Sequence, residues 1–308
     1  MKMYPQFLEL QRSWTSKLRG DAGNLEVQAR EVASDFRATY HLGTQPLGDL
    51  VALIEQTTGI DVAVLDVEPD EHGLTMRDPD RDTVFIAVAR TPNPMRQRST
   101  LAHELAHVCF EDWANGAVPA GRTPQEIRAD NFARHLLLPV DGLREFLGPP
   151  RGAAGPEMLS QIVQHFLVSP RVAAIVLRDA GYIDAPTEES WRLFTTLGLA
   201  ARYGWADQYH ALRAQSEQRR APQRLLARTI NGYLANVVST QTIATLRGMT
   251  APEVEAELHA AGVVPDEPAI AWADAAGLPE VNVDLSDLDD PTDLLDSGGD
   301  SRPEGSAS

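Results

Sequence analysis

His103-Glu104-Leu105-Ala106-His107 is the group of residues whose types and spacing point most directly to chemistry. On a helix, histidines four positions apart project from one face, so two imidazole nitrogens can converge on a single metal ion. Neutral imidazoles suit Zn²⁺, and a third protein ligand would leave one position open to water. Glu104, beside the metal but not bound to it, is placed to take a proton from that water and pass it to a leaving amine. The pattern therefore points to a peptidase. Five residues with three fixed positions also arise by chance on ordinary helices, so the flanks matter. Leu101, Ala102, Leu105, Ala106, Val108, Cys109 and Phe110 surround the polar trio. This describes a buried helix with three ionisable side chains, which interiors tolerate only when those groups are paired or metal-bound.

A third ligand is expected from the next helical segment, which begins at Thr123 and ends before Pro139. Glu126 and Asp130, four apart, share a face there. In one assignment Glu126 binds the metal and Asp130 accepts a hydrogen bond from a ligand histidine, fixing its tautomer. In the other, Thr123-x-x-Glu126 is a capping box that occupies the glutamate, and Asp130 becomes the ligand. His135 lies on a different face and is assigned to structure or surface. Cys109, two positions after His107, points away from the histidine face and is assigned to packing.

The elements that must position these residues follow from periodicity. Residues 1–24 suggest a short helix around 7–18. Val27, Val32, Ala33, Phe36 and Tyr40 keep helical spacing until His41-Leu42-Gly43, and Pro46 opens a second helix ending near Gly59. The period then changes: residues 61–67, 73–77 and 82–89 are strand-like, implying a small antiparallel sheet of about three strands. Asn93-Pro94 supplies a cap and a first-turn proline for the helix that carries the histidines. The fold class is α+β: a peptidase domain over 1–146, a linker and helix-turn-helix-like element over 147–185, a helical C-terminal domain over 186–268, and a disordered acidic tail over 269–308.

Composition sets limits. The chain has 308 residues, 43% of them apolar, enough to fill one large or two ordinary cores. Its net charge of −17 argues against general affinity for nucleic acid or anionic membrane. Nine acidic residues against one arginine lie from Glu280 onward, so the folded part is only moderately acidic. A single cysteine and the lack of an N-terminal apolar segment predict a cytoplasmic protein. Residues 159–180 have the outline of a helix-turn-helix, but Arg151 to Pro265 contains 11 arginines against 10 acidic residues and no basic recognition face. Packing or partner recognition is expected there, not direct nucleic-acid binding. The arginines at 213, 219, 220, 224 and 228 read as a solvated helix face, and Arg96 and Arg98 as a solvated helix start.

Three blocks carry a family resemblance: Pro46 to Val62, Arg96 to His107, and Glu126-x-x-Ala-Asp-x-Phe-Ala-x-x-Leu-Leu-Leu-Pro139. In this order and spacing they resemble the ImmA/IrrE family of zinc-dependent metallopeptidases, bacterial proteins that relieve repression by acting on a DNA-binding repressor. The resemblance implies a zincin-like fold with zinc on His103, His107 and Glu126, and Glu104 as the base. Ala106 stands where the family more often has glycine, and Asp130 where asparagine is commoner. The expected function is a zinc-dependent endopeptidase acting on a regulatory protein, a transcriptional repressor, with residues 82–89 as the strand that pairs with the substrate. The alternative is a helix-turn-helix regulator or a zinc-stabilised interaction protein without turnover.

Overall fold

Polar caps and prolines set most of the helix boundaries in the computed structural model, which describes residues 3–19, 24–67, 73–78, 80, 83–112, 122–150 and 154–265. The tail expected over 269–308 lies outside the described residues. Helix α1 (Pro5–Arg19) is followed by α2 (Leu25–Thr39), capped by the Asn24 side chain. Helix α3 (Leu50–Thr58) starts later than Pro46 suggests, because the Asp49 carboxylate takes the Ala52 N–H and makes the better cap. It ends at Gly59, whose φ of +72° is a left-handed conformation that glycine adopts without strain. Strands β1 (Asp61–Leu65), β2 (Gly73–Asp78) and β3 (Thr83–Ala89) precede α4 (Pro94–Phe110). Then come α5 (Pro124–Leu137), α6 (Val140–Leu147), α7 (Pro156–Phe166) and α8 (Pro170–Asp179). The described chain closes with α9 (Ala185–Trp191), α10 (Thr196–Arg202), α11 (Ala206–Ser216), α12 (Gln223–Leu234), α13 (Thr240–Arg247) and α14 (Ala251–Ala260). The class is α+β.

The sheet corrects the antiparallel expectation. Its order is β1-β3-β2, with β1 parallel to β3 and β2 antiparallel to it. Alternation of side chains has the same period of two in both arrangements, so the sequence pattern is blind to this difference. Placing β3 in the centre also corrects the choice of residues 82–89 as a substrate-pairing edge: both sides of β3 are already bonded, and Asp82 is outside the described residues. Most of β3 is buried, as a central strand should be. The outer side of β1 is closed at Val64 by two backbone hydrogen bonds with Arg220, at 2.9 and 3.0 Å. Among the described residues, β2 has no strand on its outer side.

Helix α4 runs through the middle of the core, with Ala102, Leu105, Ala106, Val108 and Cys109 fully buried. Arg98 is buried too, contrary to a solvated helix start. Its guanidinium donates to the carbonyls of Leu47, Gly48 and Leu167, tying α4 to the chain before α3 and to the turn after α7. Helices α7 and α8 meet at 110°, in the outline of a helix-turn-helix, and Ile162, Phe166, Ala173 and Leu177 merge with the main core. No single helix among the described residues is long and apolar enough to cross a membrane. Helices α12 to α14 enclose a smaller core of Ile243, Ala244, Val254 and Leu258, and α14 opens with a complete Thr250–Glu253 capping box. Arg220 and Arg224 do not form a solvated face, since they pair with Asp49 at 2.6 Å and Asp61 at 3.0 Å.

A polar network fixes α2 against α5. Glu26 accepts from Arg134 at 2.5 Å and from His135 Nε2 at 2.6 Å. Burial pushes the His135 imidazole below its ordinary value, reinforced by the charges of Arg134 and Arg30 against the opposing pull of Glu26. For Glu26, burial disfavours ionisation, but the bonds from Arg134 and His135 outweigh it and hold the carboxyl below its usual value. Both groups bind protons less readily folded than unfolded, so acid favours the unfolded chain. Stability conferred by neutral His135 is complete above the ordinary histidine value of 6.5 and declines as pH falls below it, with Glu26 adding a loss below 4.5. We predict that the thermal midpoint drops between about pH 7 and about pH 5, and drops less steeply in His135→Gln. Equal slopes in the two proteins would contradict this assignment.

Candidate metal centre

Helix α4 presents His103 and His107 one turn apart on a single face, and α5 crosses that face. Three contacts set the crossing. Arg128 on α5 bonds both carboxylate oxygens of Asp112, just past the end of α4, at 2.8 and 2.9 Å. Its guanidinium also lies 4.2 Å from the centre of the Phe110 ring, while Phe110 meets Phe132 edge to face at 6.0 Å. On the other flank Gln11 of α1 donates to the Val108 carbonyl at 2.6 Å. Helix α4 is thereby held from both sides.

The result is a close group of three lone-pair donors. His103 Nε2 lies 3.1 Å from His107 Nε2 and 3.1 Å from Glu126 Oε2, and His107 Nε2 lies 3.5 Å from Glu126 Oε1. One ligand atom from each residue falls within 4.8 Å of the other two. Glu126 reaches this point because its side chain does not turn back to the helix start. Thr123 caps α5 by accepting the Glu126 N–H at 3.3 Å, and the glutamate carboxylate points to the histidines. Asp130, one turn on, occupies a different place: its carboxylate is 2.9 Å from His103 Nδ1 and accepts from Arg122 at 2.6 Å. That contact fixes the proton on Nδ1 and leaves the Nε2 lone pair of His103 facing the shared point.

The electrostatics show what the group would accept. For His103, burial opposes the charged ring, but Asp130, Glu104 and Glu126 outweigh it and raise its proton affinity. For His107 burial lowers it, and the neighbouring His103 charge lowers it further. The two rings therefore compete for one positive charge between them. His107 Nδ1 is buried with no partner, so Nε2 is the polar outlet of that ring. Two imidazole nitrogens and a carboxylate facing one another have nothing to exchange except a proton or a cation. This nitrogen, nitrogen and oxygen donor set matches the ligand chemistry of zinc. The histidine side chains are 19% and 12% exposed and that of Glu126 is 40% exposed, so the group opens to solvent on the α5 side.

Glu104 is held apart from the three. It is 7% exposed, and its Oε2 accepts from Thr75 Oγ1 at 2.6 Å. A Cβ on Gly73 would lie 2.5 Å from Glu104 Oε1 and 2.6 Å from Thr100 Cγ2, so strand β2 fits against α4 only because residue 73 has no side chain. Thr75, Gly73 and Arg122 are absent from the residues that the sequence singles out. The sequence pattern pointed the wrong way for Thr75, since alternation would turn Leu74 and Met76 inward. Leu74 and Met76 are 47% and 54% exposed while Thr75 is buried, an inversion of the usual alternation. A strand with its polar residue inward has a polar partner inside, and here that partner is Glu104.

Residues 55–178 match the sequence model of the Peptidase_M78 family, described as the IrrE N-terminal-like domain. None of the curated proteins compared with the chain matches it. The matched segment runs from within α3 to the last turn of α8 and so contains the whole sheet, both histidines, Glu104, Glu126 and Asp130. Residues 55–178 are thus similar to a peptidase domain of the ImmA/IrrE type.

Proposed function

We propose that this chain is a cytoplasmic zinc-dependent endopeptidase that cleaves a regulatory protein, a DNA-binding repressor of transcription. The observation that carries the reading is the convergence of His103, His107 and Glu126 beside a separately anchored Glu104. His103 and His107 through Nε2, and Glu126 through its carboxylate, would hold the zinc. A bound zinc supplies Lewis-acid polarisation of a carbonyl and makes water acidic enough to attack near neutral pH. Asp130 keeps the His103 ring in the tautomer that offers Nε2 to the metal. Glu104 takes the proton from the attacking water and delivers it to the leaving amine. Thr75 limits where that carboxylate can swing.

Substrate positioning falls to β2. Arg220 closes the outer side of β1 and β3 is central, which among the described residues leaves β2 as the edge for an extended peptide. Leu74 and Met76 project from this strand on the face opposite Thr75 and offer apolar contact to alternate substrate side chains. Helices α7 and α8 serve packing in this reading: Arg178, one of two arginines on α8, is already engaged by Asp179 at 2.6 Å and Glu188 at 2.5 Å.

Zinc analysis with cleavage assays tests the proposal. The wild type should carry one zinc per chain, and His103→Ala should carry none. Glu104→Gln should keep the metal but lose about 10²- to 10⁴-fold in cleavage rate, and used as bait it should retain the uncleaved repressor. Asp130→Ala should weaken zinc binding by about 10- to 100-fold without abolishing it. A protein that purifies without metal and takes up none would overturn the reading, and full zinc in Glu126→Ala would remove Glu126 from the ligand set.

The fit at residue 73 yields a separate expectation. Gly73→Ala should destabilise the fold by about 1 to 3 kcal/mol in urea titrations, because the new methyl must displace Glu104 or Thr100. Unchanged stability would mean that β2 and α4 are not held at this distance.

A further inference from the structure

An open cavity of about 1080 Å³, lined by none of the metal-centre residues, lies between α2, α5, the start of α6 and the end of α8. Five arginines and four carboxylates line it. Most of these charges cancel within the protein. Arg134 is bonded to Glu26 at 2.5 Å, Arg144 to Asp141 at 3.4 Å, and Arg178 to Asp179 at 2.6 Å. Glu31 is the lining carboxylate that remains, on the exposed rim.

Two cations are left over. Arg30 has no carboxylate at ion-pair distance among the described residues, and its charge is felt at His135. Arg37 is the stronger observation. It is only 4% exposed, and its Nε and Nη1 donate to the carbonyls of Leu136, Gly43 and Gln45 at 2.8, 2.7 and 3.1 Å. Its Nη2 is buried and has no partner. Carbonyl oxygens satisfy N–H groups without neutralising the ion, and a buried guanidinium with no counter-charge is costly. The wall adds a second electropositive feature. Helix α6 begins at Pro139 with no side-chain cap, and Pro139 and Val140 of that start face the cavity.

We propose that this cavity binds a small organic oxyanion, a molecule bearing a carboxylate or phosphate group, with Arg30 meeting its charge directly and the uncompensated Arg37 guanidinium in the wall adding to the attraction. The site is separate from the metal centre, but the two share a helix. Arg134 and His135 face the cavity four and five residues after Asp130, so an occupant bears on the helix that carries Glu126 and Asp130.

Isothermal titration of the full chain with inorganic phosphate and, separately, with citrate tests the site. At least one should bind saturably, and the stronger of the two identifies the preferred oxyanion. Arg30→Glu and Ser34→Glu, both exposed lining positions that the fold tolerates, should each weaken binding by about tenfold or more. His103→Ala should bind like the wild type, which separates this cavity from an anion seated at the metal centre. Absence of saturable binding below about 10 mM for both probes would overturn the proposal. So would wild-type affinity in both charge variants, or loss of binding in His103→Ala.

Discussion

A largely buried helix cannot carry two histidines and a glutamate unless neighbouring elements answer each of them, and the architecture around α4 is a set of such answers. Asp130 on α5 meets His103 Nδ1, Glu126 meets both Nε2 atoms, and Thr75 on β2 meets Glu104. None of these partners is near α4 in sequence, so the polar trio is satisfied only when α5 and β2 are both docked. The cost of leaving an ionisable group buried and unmet, commonly several kcal/mol, makes the site and the fold one cooperative unit. The Arg128–Asp112 pair and the Phe110–Phe132 contact hold the register in which those partners arrive.

Much of this was legible in the sequence, for reasons that differ by residue. The histidine pair was readable because helical spacing alone puts His103 and His107 together. Glu126 and Asp130 were readable as a pair on one face, but the spacing is silent on which way a glutamate three residues after a threonine cap will turn. That depends on His103 and His107 approaching from another helix, a tertiary fact. The strands were recognisable by composition, whereas the parallel pairing of β1 and β3 was hidden because it is decided by a crossover and not by alternation. Arg98 and Arg220 were misread for the same cause. An arginine at a helix start or in a linker looks solvated until the carbonyls of Leu47 and Leu167, or the edge of β1, are brought to it.

The two sheet edges show how the segment after α11 contributes to the arrangement of the site. An open edge strand is a template for any extended chain. Pairing of Val64 with Arg220 removes one such edge, and the ion pairs of Arg220 with Asp49 and of Arg224 with Asp61 fasten the covering segment in place. Among the described residues what stays open is β2, the strand whose inward Thr75 holds Glu104 and whose Gly73 lets the carboxylate approach. Edge protection on one side and exposure on the other thus give the sheet a direction. In the proposed function a peptide joins that edge, beside the carboxylate that takes the proton of the attacking water.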